Sequence, residues 1–251
     1  MNDIVDLRTV LRPPETDAQA ARTPAASLVA LLDRHDVALA AVLSSSALHH
    51  EAVGGNAETV VACRDEPRLH PIFVLDPREP GPAPAIDGAR LLALFPATHG
   101  YPGVYAPLRR MLRALQAAPT SPPILVEAHR AGDATALASQ LGEAGYRGPV
   151  ILSGVSGAVT LAEALAVAEE SPQILIATDG LHGLGEIGAV VHALGARRVV
   201  FASGTPDGSL GAALALVRHA HLSPDDEALV LGGNARRLLG IGAPAAGSLA
   251  A

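Results

Sequence analysis

A single-domain α/β chain closed into a (β/α)8 TIM barrel is the fold that the sequence predicts, on two observations. Eight short apolar runs alternate with stretches of helical periodicity between Ile4 and Leu239, and such alternation implies right-handed parallel crossovers. The chain has 251 residues, and barrels of about 250 residues commonly form one unit. A doubly wound open sheet shares the alternation. Eight strand–helix units in about 240 residues fit closure better. The barrel is assigned to residues 1–241 and an Ala/Gly/Pro-rich tail to residues 242–251.

Residues 4–7 give the first strand, and a polar, proline-bearing loop follows to Arg22. Thr23 as N-cap, Pro24 at the first helical position and Leu28, Leu31 and Leu32 on one face then start a helix. The apolar run 37–43 is the second strand and ends in Ser44, Ser45 and Ser46. Residues 56–65 read as helix, and residues 71–75 as a third strand closed by Asp76-Pro77. The Pro-rich stretch 78–85 is a loop, because the pattern resumes at once with a fourth strand over 88–95. A long loop through His99 and Tyr101 leads to a helix around Leu108, Met111, Leu112 and Leu115. The second half is more regular. Strands fall at 123–126, 149–152, 174–177 and 199–202, and helices at 133–142, 158–170, 186–194, 209–217 and 224–239.

Composition narrows the function. Aromatic residues make up 2% of the chain and Trp is absent, so stacking platforms for bases or sugars are not expected. A net charge of −7 without a basic stripe argues against nucleic acid. All 18 cationic side chains are Arg, which excludes a Schiff-base lysine and a carboxylated lysine between two metals. Cys63 is the single cysteine, so no disulfide or Cys cluster for zinc is expected, and a reducing cytoplasm fits. Charges interrupt the apolar run of MNDIVDLRTV, unlike a signal peptide, and no apolar run reaches about 18 residues, so no membrane span is expected.

The stretch ARRVVFASGTP at residues 196–206 and NARRLLGI at residues 234–241 resemble the C-terminal end of the metal-dependent amidohydrolases of the decarboxylase-like branch. There the last barrel strand reads like F-G-S-D-x-P and the final helix like N-A-x-R-L-x-G-L. The resemblance is diffuse and spans Ile4 to Ile241. It implies a metal-binding Asp after the last strand, where this chain has Gly204. The family's D-x-H-x-H after strand one falls on Asp6-Leu7-Arg8-Thr9-Val10, and neither Arg8 nor Val10 can bind a divalent cation. The family's P-V-x-I-H falls on residues 123–127, placing Glu127 at the histidine, and its strand-six histidine falls on Gly154. The resemblance thus implies the scaffold without its usual ligands, and no metal or other cofactor is expected.

The polar residues left at strand ends are Glu127, His129, Asp179, His182 and Asp207. Glu127, His129 and Asp207 are the candidates for acid–base work, and Arg8, Asp179 and His182 for holding a small carboxylate. Each has a plainer reading: a histidine just past a buried strand is commonly a hydrogen-bonded loop residue. An Arg8–Glu127 ion pair is expected to fill the metal's place, the plainer reading being that Glu127 points to solvent. His49-His50-Glu51 reads as the polar start of a helix, because sequence neighbours diverge in direction. Arg218-His219-Ala220-His221 suits a helix C-terminus. The Gly-rich 180–185 loop is a weak phosphate cradle, and Ser203 and Thr205 lack a nucleophile elbow.

Three functions remain open from sequence. The first is a non-catalytic barrel that partners a homologous amidohydrolase-like subunit, or its own copies, through its outer helices. The second is a metal-free, lactonase-like hydrolase of a small carboxylate substrate. The third is a metal-dependent hydrolase or decarboxylase with relocated ligands. Fold alone cannot choose among them.

Overall fold

The computed structural model describes residues 3–12, 24–79, 89–118 and 122–242. Strands β1 (Val5–Leu11), β2 (Leu39–Ser44) and β3 (Leu69–Pro71) pair in parallel in that order. So do β4 (Phe73–Val74), β5 (Leu92–Leu94), β6 (Ile124–Glu127), β7 (Val150–Ser153), β8 (Ile174–Ala177) and β9 (Val199–Val200). Strands β3 and β4 are two halves of one stave. Between them Ile72 N donates to the Val42 carbonyl at 2.7 Å, and Phe73 N then donates to that of Leu91 at 3.0 Å. The last stave closes on the first: Leu7 N bonds Phe201 O at 3.0 Å, Val10 N bonds Thr205 O at 2.7 Å, and Thr9 bridges Thr205 in parallel. Closure removes the free edges that an open sheet would expose. The result is a (β/α)8 barrel.

The helices are α1 (Pro24–Arg34), α2 (Ser45–His49), α3 (Ala52–Arg64), α4 (Pro96–His99), α5 (Ala106–Ala117) and α6 (Asp133–Ala144). They continue with α7 (Ala158–Glu170), α8 (Glu186–Leu194), α9 (Leu210–Arg218), α10 (Pro224–Ala228) and α11 (Asn234–Leu239). Local chemistry sets several of their ends. Ser44, Ser209 and Ser223 cap α2, α9 and α10 with their hydroxyls, and Gly145 and Gly240 end α6 and α11 in the left-handed conformation.

Period-two alternation along the staves divides the core into two layers. Val42, Leu94, Val126, Leu152 and Ile176 pack outward with helical residues such as Leu112, Leu137 and Val190. Ala41, Ile72, Ala93, Leu125, Ile151, Leu175 and Val200 fill the interior. Both faces are buried, so the strands read as continuous apolar runs. Helix α11 plugs the N-terminal end of the barrel, where Ala235, Leu238 and Leu239 join the inner layer. A π-turn, Leu229–Gly233, precedes it. At Gly232 a Cβ would lie 1.9 Å from the Asp3 carbonyl, so the close approach requires glycine.

Asn234, the first residue of the NARRLLGI ending, is fully buried, and its amide donates to the carbonyls of Ala196 at 2.7 Å and Val199 at 2.8 Å. Asn234→Ala leaves both carbonyls without that donor. A loss of about 1–3 kcal/mol is expected, read as a lower urea midpoint at constant slope. An unchanged midpoint would show that the tie contributes nothing.

The structure differs from the sequence reading in a few places. Strand β1 runs on to Leu11, the third stave is interrupted at Ile72, and regular pairing in the last strand covers only Val199–Val200. Helix α3 starts four residues before the expected 56, α2 occupies the serines read as the end of the second strand, and α4 lies in a stretch read as loop. The Thr23 cap, most of the 78–85 loop, Gly88 and the 243–251 part of the tail lie outside the described residues. Among the described residues, no helix is long and apolar enough to cross a membrane.

Candidate functional site

In parallel barrels the C-terminal strand ends carry the chemistry. The inward residues Leu125, Ile151, Ala177 and Ala202 are apolar. Two residues further along each chain, on the same face, stand Glu127, Ser153, Asp179 and Gly204. The mouth therefore begins where the inner layer turns polar.

Arg8 enters this mouth from β1, where a register shift falls between Asp6 and Thr9; such irregularities re-aim side chains. Its Nη1 donates to Asp179 Oδ2 at 2.8 Å. The same oxygen accepts from Ser153 Oγ at 2.6 Å, and Oδ1 accepts from Gly154 N at 3.0 Å. The Asp179 side chain is wholly buried and that of Arg8 is 20% exposed. The guanidinium carbon lies 6.0 Å from the Phe95 ring centroid, within cation–π range. Gly154 and Gly204, at positions where the resemblance implied a histidine and an aspartate, have φ of +77° and +67°. A Cβ on Gly204 would stand 3.3 Å from Arg8 Nη1.

The expected Arg8–Glu127 pair is not formed. Helix α4 begins beside β6, and Glu127 accepts from Thr98 N at 2.9 Å and from Thr98 Oγ1 at 2.7 Å. A helix N-terminus suits a carboxylate, and Asp179 supplies the anion for Arg8 instead. The alternative that Glu127 points to solvent also fails, since its side chain is 11% exposed. His129 Nδ1 lies 3.2 Å from Glu127 Oε1, with the His129 side chain 41% exposed. Asp207 stands apart on the rim, paired with Arg12 at 2.6 Å and 58% exposed. His182 is exposed on the loop after β8, with no hydrogen bond or ion pair among the described residues. The six candidates thus separate into Arg8–Asp179, Glu127–His129 and two rim residues.

Below the mouth, Asp6 is fully buried. Its Oδ1 accepts from Ser203 N at 2.9 Å and Arg8 N at 3.2 Å, and Oδ2 faces Ser203 Oγ at 2.5 Å. Burial pushes its pKa up to about 6, opposed by the Ser203 and Arg8 hydrogen bonds and assisted by the charge of Asp179. Ser203 is thus a partner of Asp6 in the seam, 2.9 Å from Thr205 Oγ1. Of the expected polar helix start, only Glu51 serves as one, its carboxylate capping α3 by accepting from Gly54 N, whereas His49 ends α2 and His50 is its C-cap.

Sequence reasoning missed a second polar group at the ends of β2, β4 and β5. Asp76 is 8% exposed and holds Arg78 through Nε at 2.9 Å and Nη2 at 2.5 Å. Arg78 Nη1 donates to the His99 carbonyl. Burial opposes ionisation of Asp76, but the Arg78 hydrogen bonds hold its pKa below the usual value. Burial holds His99 below the usual histidine value. The available signal was position alone, Asp76 following the apolar run Ile72–Leu75.

A divalent cation does not fit the mouth centre. Both Asp179 oxygens already accept hydrogen bonds, Arg8 places a positive charge beside them, and glycines offer no side-chain donor atom. Among the described residues, no group of three or more His, Cys, Asp or Glu is disposed to hold a metal ion.

No protein-family model matches the chain, and no curated protein does so. Solved structures do resemble it. The 5-carboxyvanillate decarboxylase LigW from Sphingomonas paucimobilis superposes with TM-score 0.68 at 13% identity, covering 95% of this chain and 99% of that one. LigW2 from Novosphingobium aromaticivorans, solved with bound manganese, gives 0.67 at 12% identity, with 94% and 97% covered. Amidohydrolase 2 from Bifidobacterium longum subsp. infantis gives 0.61 at 17%, with 95% and 99% covered. At these identities the likeness establishes the fold.

Proposed function

We propose that this chain is a degenerate barrel of the amidohydrolase and decarboxylase kind that works without a divalent metal. Its role is that of a non-catalytic accessory subunit in the cytoplasm, partnering an active homologous chain or its own copies. The observation that carries the reading is the Arg8–Asp179 pair at the mouth centre, 2.8 Å apart and backed by Ser153 and Gly154. A dication placed about 4 Å from the guanidinium is repelled by several kcal/mol at an effective dielectric of about 20. Asp207 lies apart from Glu127 and His129, which removes one member of the acid–base set a hydrolase was expected to use.

Elemental analysis of the purified chain, with lactone hydrolysis and aromatic decarboxylation assayed with and without added zinc or manganese, tests this reading. Substoichiometric metal and no turnover are expected. Stoichiometric metal bound by three or more side chains of this chain overturns it. Gly204→Asp is expected to leave metal content unchanged. It is also expected to lower stability by about 1–2 kcal/mol, because a non-glycine residue at positive φ is strained.

One observation favours a second reading, a metal-free hydrolase of a small carboxylate ester or lactone. The Glu127 carboxylate 3.2 Å from the Nδ1 of a part-exposed His129 can hold the imidazole with Nε2 free to take a proton from water. Lactone turnover that survives chelation and disappears in His129→Gln would select it over the first.

A further inference from the structure

Beside the mouth centre, a pocket of about 220 Å³ opens between the ends of β2, β4 and β5, with Asp76, Arg78, His99, His50 and Glu51 among its lining residues. It contains neither Arg8 nor Asp179, and its chemistry is independent of the function proposed above. A pocket of this volume suits a ligand of few heavy atoms.

The pocket holds a fixed and unmet hydrogen-bonding demand. The His99 side chain is 5% exposed, and its Nδ1 is buried without a hydrogen-bond partner. The ring is hydrogen-bonded to the backbone of Ala47 and packed against Phe95 and Tyr101, with centroids 6.1 and 6.4 Å away. With Nδ1 unpartnered, that bond belongs to Nε2, whose proton it uses. Nδ1 is then a bare acceptor, and burial keeps the ring neutral. It faces Asp76 Oδ2, 3.9 Å away, a carboxylate oxygen that already accepts from Arg78 Nε at 3.0 Å and from Nη2 at 2.5 Å, so the unmet demand is that of Nδ1. One ligand nitrogen about 2.8 Å from each atom would serve both, and a charged donor makes the stronger bonds. A hydroxyl has one proton and can serve only one of the two. The neighbouring Glu51 carboxylate and that of Glu79, which accepts from Ala52 N at 3.4 Å, also favour a cationic group.

Arg78 supplies the complementary end. A guanidinium has five N–H groups. Nε spends its one on Asp76, and Nη1 and Nη2 each spend one on the His99 carbonyl and Asp76. One N–H on each terminal nitrogen is left to donate to a carboxylate. The geometry points to a binding site for a small free α-amino acid, its ammonium between His99 Nδ1 and Asp76 Oδ2 and its carboxylate on Arg78.

Calorimetric titration of the full chain tests the assignment, using L-alanine and L-serine, with lactate replacing the ammonium by a hydroxyl and ethylamine lacking the carboxylate. Saturable 1:1 binding of an amino acid is expected, with lactate and ethylamine at least about tenfold weaker. His99→Phe keeps the ring contacts and loses the acceptor. Arg78→Lys keeps the charge beside Asp76 and loses those N–H groups. Each is expected to weaken binding about tenfold or more while a thermal melt still shows a cooperative fold. Absence of saturable amino-acid binding, meaning that solvent alone meets the His99 demand, overturns the proposal. So does lactate binding as tightly as alanine, or affinity unchanged in both folded variants.

Discussion

Arg8→Leu is expected to destabilise the fold by about 3–5 kcal/mol, the typical cost of removing one half of a buried ion pair. The magnitude follows from the partner left behind. Asp179 is wholly buried, and without Arg8 its carboxylate keeps only the Ser153 hydroxyl and the Gly154 amide. Two neutral donors do not replace a guanidinium in a site closed to water. Adding Asp179→Asn removes the stranded charge and should recover part of the loss, so the double mutant should be more stable than the sum of the single losses implies. Glu127→Gln should give no such recovery, because Glu127 is held by Thr98 rather than by Arg8. Urea melts of the single and double mutants measure the coupling directly. Strict additivity of Arg8→Leu and Asp179→Asn would show that the pair does not hold the mouth together.

The partner of Arg8 shows where sequence reasoning stops. Both Glu127 and Asp179 follow inward-facing positions at strand ends, so either was a chemically sound anion for it. What separates them is a short helix that pattern reading does not see. Helix α4 has four residues, too few for a period to register, yet its Thr98 takes the Glu127 carboxylate. By contrast, α7 and α8 were legible at both ends, since glycines precede them at positions 157 and 185 and their apolar spacing is sustained. Strand β8 was as clear, because a fully buried strand is a plain apolar run bounded by polar turns. The Asp76–Arg78–His99 group was illegible for another reason: Asp-Pro-Arg in a polar stretch reads as a turn. Only the parallel pairing of β4 with β5 brings His99 against it, 21 residues from Arg78 in sequence.

Stability should fall as pH rises through the titration of Asp6, and Asp6→Asn should remove that fall. The folded pKa of Asp6 is raised by burial from 3.8 to about 6, so between those values the native state binds more protons than the unfolded chain. Stability then decreases with pH across this window, and its full contribution is present only below the unfolded value. A shift of about two units corresponds to about 3 kcal/mol at neutral pH. The hydrogen-bond geometry accommodates the neutral acid. Protonated Oδ2 donates to Ser203 Oγ, Ser203 to Thr205 Oγ1, and Thr205 to the Gly208 carbonyl, over 2.5, 2.9 and 3.3 Å. Oδ1 still accepts the Ser203 and Arg8 amides. Asparagine reproduces this pattern, with its amide nitrogen in the place of the acid O–H. Asp6→Asn should therefore match the parent chain near pH 4 and exceed its stability near pH 7 by about 3 kcal/mol. Asp6→Ala should lie about 2–4 kcal/mol below the Asn variant at every pH, because it strands two buried amides at the seam. Urea midpoints measured from pH 4 to pH 8 separate the variants. A parent curve rising over that range, or an Asn variant with the parent's slope, would show that Asp6 folds in its charged form.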